Sequence, residues 1–155
     1  MLKEIEVRPY RPEDFERLCQ IHDAARLDEL ELAGLVDAFL PLDIAADREG
    51  LFEYRVIVAE VEGVVAGFAA FSAGELAWLY VDREYCRQGI GAGLVDAALQ
   101  QMDDAVSIEV LAGNLPALAL YKKFGFEVET TQSGRMPGNE EFSVTVHVLS
   151  KLKGR

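Results

Sequence analysis

At 155 residues and half hydrophobic, the chain has the size of one domain, spanning 1–155, and enough apolar content for a real core, which excludes a disordered chain. Fifteen Lys and Arg against 27 Asp and Glu give a formal charge of −12, which argues against a nucleic-acid partner, because a phosphate backbone rewards basic patches. No apolar run approaches the roughly 20 residues that span a bilayer, and the start, Met1-Leu2-Lys3-Glu4-Ile5-Glu6, lacks the continuous apolar core of a signal peptide. Cys19 and Cys86 have no metal-ligand spacing and read as reduced thiols of a cytoplasmic protein, with no metal expected.

Ile5-Glu6-Val7-Arg8 begins as a short strand. Pro12-Glu13-Asp14 then opens a helix, with proline and acids where a first turn favours them. Phe15, Leu18, Cys19 and His22 share one face of it. A second helical stretch carries Leu32, Leu35, Val36 and Phe39 and stops at Pro41. Residues 41–53 give mixed signals, either loop or a short helix. Arg55 to Ala59 and Val64 to Phe71 are β-branched and aromatic runs around Glu62-Gly63, a hairpin. Ser72-Ala73-Gly74 leads to a third strand, Leu76 to Val81, with Leu76, Trp78 and Tyr80 on one face as core. Glycines follow at 89, 91 and 93, then a helix over about 90–102 with Val95, Ala98, Leu99 and Met102 at helical spacing. Val106 to Leu111 is a strand. Asn114 caps a helix opened by Leu115-Pro116 and closed at Gly125. Phe126 to Thr130 is a strand, and Gly134, Pro137 and Gly138 mark a polar loop. In the last strand Phe142, Val144, Val146 and Val148 share a face. The order implies an α/β (α+β) fold, with a mixed, largely antiparallel sheet of six to seven strands flanked by helices.

The segment from Leu76 to Leu99 carries the most chemistry. A strand runs into a glycine turn that opens a helix. Helix N-termini carry free N–H groups and partial positive charge, and glycines let a phosphate approach them. A bound pyrophosphate is therefore expected. One reading is a dinucleotide site, with Gly89-Ile90-Gly91 as half of a fingerprint and Glu109 twenty residues on for the ribose. Against it, Leu94 occupies the third glycine position, and the turn follows an antiparallel meander where a βαβ unit is required.

Two motifs give a second reading. Leu79-Tyr80-Val81-Asp82 followed by Arg87-Gln88-Gly89-Ile90-Gly91-Ala92 is similar to the acetyl-CoA segment of the GNAT N-acetyltransferase superfamily. Asn114-Leu115-Pro116-Ala117-Leu118-Ala119-Leu120-Tyr121, continuing to Gly125-Phe126, resembles the second signature of that family. Both stand in the family's order, at its separation and on the expected elements, and the resemblance spans almost the whole chain. One position departs: Cys86 stands where the family has Gln or Arg, with Arg87 next to it.

The resemblance implies acetyl transfer from acetyl-CoA to an amine in a ternary complex. It assigns the pantetheine arm to backbone groups of Leu79, Tyr80 and Val81, with the Val81 amide as oxyanion donor. The amides of Arg87, Gln88, Gly89, Ile90, Gly91 and Ala92 would hold the pyrophosphate. Asn114 would contact the cofactor, and Tyr121 would protonate the leaving thiolate. Free of the motif, Tyr121 reads as a packed core tyrosine. A lysine-like amine, with a pKa of about 10.4, needs roughly 4 kcal/mol to deprotonate at neutral pH, so a base is expected. Glu109 is the first candidate and Glu75 the reserve; the plain alternative is that Glu109 faces solvent on an alternating strand. His22 and His147 form no pair by spacing. Eight acids and one base between Leu27 and Tyr54 favour a cationic acceptor, or else serve solubility. Such folds also form homodimers through sheet edges. A non-catalytic acetyl-CoA-binding module, with Cys86 as the mark of lost turnover, is the alternative to an enzyme.

Overall fold

The computed structural model describes residues 4–152. Its strands are β1 (Ile5–Pro9), β2 (Arg55–Val61), β3 (Val64–Phe71), β4 (Leu76–Val81), β5 (Ala105–Leu111), β6 (Glu127–Arg135) and β7 (Ser143–Leu152). Its helices are α1 (Phe15–Ala33), α2 (Leu42–Arg48), α3 (Ile90–Leu99) and α4 (Leu115–Lys123). The strands build two antiparallel sheets, ordered β1-β2-β3-β4 and β5-β7-β6. This is the mixed α/β, largely antiparallel arrangement that the sequence implies. The β2–β3 hairpin closes on Glu62 and Gly63, both at positive φ, a geometry whose twist matches that of the strands it joins.

Strand β3 is buried from Val65 to Phe71, because helices cover both of its faces. On one face Leu18 and Ile21 of α1 and Leu42 of α2 pack on Phe68 and Trp78. On the other, Leu94, Val95 and Ala98 of α3 pack on Ile57, Ala69 and Phe71. The second core continues into the three-stranded sheet through Ile108, Phe126 and Leu149. Between β4 and β5 the described residues make a single bridge, Glu75 to Ser107, in parallel sense. Beyond it the two strands run on without a ladder, and this leaves a crease between the sheets.

Three expectations are corrected. The second helical stretch over Leu32 to Phe39 shrinks to one 3-10 turn, Val36–Ala38. Instead α1 continues to Ala33 and Gly34 turns left-handed at φ 71. There the Gly34 N–H donates to Glu31 O (3.1 Å) and the Leu35 N–H to Leu30 O (2.8 Å), a glycine exit that overrides the apolar spacing beyond it. Leu76 does not share a face with Trp78 and Tyr80. An irregularity at Ala70/Phe71 puts Leu76 in the α3-side core, while Trp78 stays on the α1 side. Gly134 is not loop: β6 runs through it to Arg135, fully exposed along its length.

An ionic cluster fastens the start of α1. Arg8 on β1 grips Asp14 with two hydrogen bonds of 2.9 Å, and its Nε lies 3.3 Å from Glu60 on β2. Asp14 also accepts the Arg11 N–H at 2.8 Å. The Arg8 guanidinium holds the Asp14 carboxyl below the ordinary carboxylate range.

Candidate active site

The crease begins with a strand edge. The Asp82 N–H donates to Ala66 O (2.8 Å), and Tyr80 and Trp78 lie opposite Phe68 and Ala70. Backbone groups alternate along an antiparallel strand, so the amides of Trp78, Tyr80 and Asp82 turn into β3. Those of Leu79 and Val81 turn outward, toward β5. Among the three β4 residues named from sequence, Leu79 and Val81 thus offer backbone to the crease. Tyr80 offers its side chain instead.

The glycine loop follows. Asp82 accepts the Glu84 N–H at 2.9 Å, and the Arg17 guanidinium from α1 grips its other oxygen. Arg87 and Gly89 both adopt positive φ, 63° and 84°, and reverse the chain into α3. The N–H groups of Ile90, Gly91 and Ala92 form the first turn of that helix and have no intrahelical acceptor. Ile90 buries its side chain in the core, while Arg87, Gln88 and Gly89 are exposed. The two motif glycines serve different needs. Gly89 supplies a left-handed conformation, and a Cβ there would find its nearest contact at 4.0 Å. Gly91 supplies space, because a Cβ there would meet Leu120 of α4 at 3.3 Å and Val81 at 3.7 Å. A bare, amide-lined turn at the mouth of an open strand edge fits a pyrophosphate carried on an extended arm. Cys86 is exposed beside this turn.

The crease widens into a cavity of about 260 Å³. Leu79 and Tyr80 from β4, Ile108 and Glu109 from β5, and Tyr121 from α4 line it. Helix α1 adds His22, Arg26 and Glu29; Glu49, Tyr54 and Glu75 complete the polar wall. Met136 and Pro137 close one side, and the turn they belong to is pinned by Asn139 Nδ2 donating to Ala38 O (3.0 Å). Val144 and Val146, predicted on one face of the last strand, line the cavity too.

Tyr121 is buried, its ring edge-on to Phe126 with centroids 6.0 Å apart. Burial, helped by the nearby Glu29 charge, pushes its phenol up, so it is a protonated donor at neutral pH. Glu109 is an exposed residue of β5 that opens onto the cavity. Glu75 accepts a hydrogen bond from Tyr54 Oη at 2.9 Å. Burial and that carboxylate push the Tyr54 phenol up to about 12. The two candidate bases therefore face one space.

Asn114 is nearly buried and engaged at both ends. Its Oδ1 accepts the Ala117 N–H (3.3 Å) as the cap of α4, and its Nδ2 donates to Glu29 Oε2 (3.1 Å). Glu29 also accepts from Tyr80 Oη (3.2 Å) and from the Arg26 guanidinium. His22 is buried against the rings of Tyr80 and Trp78, and burial pushes its imidazole pKa down, toward the neutral form. Trp78, predicted as core, is both core and cavity wall. His147 stands apart, bonded through Nδ1 to Thr131 Oγ1 (2.8 Å) on the β6–β7 ribbon. Among the described residues no group of three or more His, Cys, Asp or Glu side chains converges as metal ligands.

The polar wall holds four glutamates against one arginine. Only Glu29 and Glu49 come from the acid-rich segment that suggested a cationic acceptor; Asp28, for instance, pairs with Arg83 elsewhere. Burial pushes the Glu49 carboxyl up. Arg26, Tyr54 and the special place of Glu29 were not singled out in the sequence. One signal was present: His22, Arg26 and Glu29 stand at i, i+4 and i+7, a polar stripe on one face of α1.

Comparison with known proteins bears on the same segments. The profile of the Acetyltransferase (GNAT) family matches residues 9–126. The chain is 25% identical to the L-amino acid N-acetyltransferase AaaT of Escherichia coli, over 98% of this chain and all of that protein. It is 33% identical to an N-alpha-acetyltransferase of Sulfurisphaera tokodaii, over 49% of this chain and 58% of that one. In fold it is similar to a GCN5-related N-acetyltransferase structure from Rhodopseudomonas palustris, with a TM-score of 0.80, 20% identity and 98% of both chains covered. The PaiA N-acetyltransferase of Thermoplasma acidophilum, solved with coenzyme A, superposes with a TM-score of 0.73 at 20% identity, over 96% of this chain and 99% of that one.

Proposed function

The chain belongs to the acetyltransferase (GNAT) family, and we propose that it moves the acetyl group of acetyl-CoA to a cationic primary amine of a small molecule or peptide. Transfer is direct, within a ternary complex. The observation that carries this reading is continuity: the glycine turn, the open edge of β4 and the cavity with Tyr121, Glu75 and Glu109 lie along one crease. The dinucleotide reading loses its ground, because the strands before the turn are antiparallel.

Acetyl-CoA supplies an acyl group activated as a thioester. The N–H groups of Ile90, Gly91 and Ala92 hold the pyrophosphate, and the outward backbone of Leu79 and Val81 pairs with the amides of the arm. The Val81 N–H polarises the thioester carbonyl. Glu109, or Glu75 with Tyr54 behind it, takes the proton from the ammonium of the acceptor. The neutral amine would attack the thioester carbon; as the C–S bond breaks, Tyr121 would give its proton to the departing sulfur, and the proton that the new amide nitrogen still has to lose would restore the phenol. Four glutamates against one arginine leave the wall net negative, which attracts a protonated amine into the cavity before it must lose that proton.

Thermal stability should rise with acetyl-CoA and stay flat with NAD. Thiol release across an amine panel then tests turnover. A protein that is stabilised and yet releases no thiol with any amine is the binding module and no enzyme. A second acceptor class has an observation of its own. Arg26 in the cavity wall could take the carboxylate of an α-amino acid, as similarity to the E. coli L-amino acid enzyme suggests. Glu29 already neutralises Arg26, so the cationic reading is favoured. Comparing an amino acid with its decarboxylated amine separates the two: a higher kcat/KM for the amino acid selects the Arg26 reading.

A further inference from the structure

The Glu29 carboxylate gathers donors from three elements: Arg26 on α1, Tyr80 on β4 and Asn114 at the start of α4. It therefore ties α1 to both sides of the crease. An asparagine amide can point either way, with oxygen and nitrogen exchanged. A carboxylate only accepts, so Glu29 demands the NH₂ end of Asn114 and leaves Oδ1 for the Ala117 N–H. That bond caps α4. Tyr121 lies seven residues on, two turns along the same side of the helix.

Resting on the proposed function, we infer that Glu29 is a positioning residue for Tyr121: it orients Asn114, Asn114 sets the first turn of α4, and α4 delivers the phenol to the crease. The arrangement does a second thing. Glu29 places a negative charge near the phenol, which favours the protonated form that the step requires. The other titratable groups facing this cavity are His22 and Arg26 on α1, Glu49 after α2, Tyr54 before β2, Glu75 before β4, Tyr80 on β4 and Glu109 on β5. None of them hydrogen bonds Asn114; Lys122 and Lys123 on α4 itself are exposed.

The test exchanges the pair. Glu29→Gln removes the charge while keeping the shape. Asn114→Asp keeps an equally good cap and sets two carboxylates against each other. Each single variant should lower kcat on the order of 10- to 100-fold, the scale of a small misplacement of a reacting group, while acetyl-CoA still raises the thermal midpoint. The double variant E29Q/N114D restores an amide–carboxylate pair in reverse and should recover kcat to within about threefold. The alkaline limb of the kcat profile should move to lower pH in Glu29→Gln and return in the double variant, where the carboxylate introduced at position 114 replaces the lost charge. A double variant as slow as the singles, or singles as fast as the unaltered protein, overturns the inference. Should the unaltered protein turn over no amine, the functional reading fails and the positioning is read separately. Hydrogen exchange at the Ala117 amide should then be several-fold faster in Glu29→Ala, and an unchanged rate overturns it.

Discussion

Helix α1 carries an arginine–carboxylate cluster at each end, and the two differ in what they touch. At its start, Arg8 pairs with Asp14 and Glu60 and so joins β1, β2 and the helix entry. Toward its far end, Arg26 and Glu29 pair less exclusively, because Glu29 divides its oxygens among a guanidinium, a phenol and an amide. The first cluster lies away from the cavity of the candidate site. The second lines it. The same residue types thus fasten a helix entry in one place and line a cavity in the other, and the difference is whether their partners are charges alone or also a neutral phenol and amide.

That contrast can be broken at either end. The largest expected effect is at the cavity: Tyr121→Phe should lower kcat roughly 10²–10⁴-fold with little change in the thermal midpoint or in acetyl-CoA affinity, since only a hydroxyl is lost. A normal kcat, with chemistry shown to be slow, removes Tyr121 from the mechanism. Next, Glu109→Gln should slow the neutral reaction by roughly 10²-fold, with recovery as pH approaches the amine's own value of about 10. If the acid limb stays in place and moves instead in Glu75→Gln, the base is Glu75. At the other end of α1, Asp14→Asn should cost about 2–3 kcal/mol of stability in denaturant titration, because Arg8 loses the partner it grips twice. At saturating substrate its kcat should not change; a slowed enzyme would join the two clusters functionally.

The pH dependence of stability sharpens the same point. The Asp14 carboxyl is held below its unfolded value of about 3.9. Its contribution is therefore complete above that value and is lost as pH falls through the lower, folded one. Acid titration of Asp14→Asn should show a shallower loss of stability below about pH 4. The smallest effect is electrostatic steering. Between about 0.01 and 0.15 M salt the screening length falls from about 30 to 8 Å, and kcat/KM for a diamine should fall a few-fold. A salt-independent value argues for an acceptor that the carboxylates do not attract.

Much of the fold was legible because its signals are local. The hairpin at Glu62-Gly63, the turn at Gly89 and the cap at Asn114 each write their geometry in adjacent residues. The misread elements needed information from elsewhere. Leu76 changes face because Ala77 drops out of the pairing with β3, and β6 passes through Gly134 because β7 pairs with it there. The site divides in the same way. The loop and Tyr121 sit in contiguous motifs. Arg26, Glu29 and Tyr54 come from a helix and from the segment before the β2–β3 hairpin, and only tertiary packing makes them neighbours.

The gap beyond the Glu75–Ser107 bridge has a bearing on solution behaviour. An unpaired strand edge is ordinarily a template on which another chain can add. The edge at Leu79 and Val81 is inside the molecule, with β5 on its far side. The outward amides of Leu79 and Val81 therefore face β5 across the crease, where a second chain does not meet them as it would a solvent-facing edge.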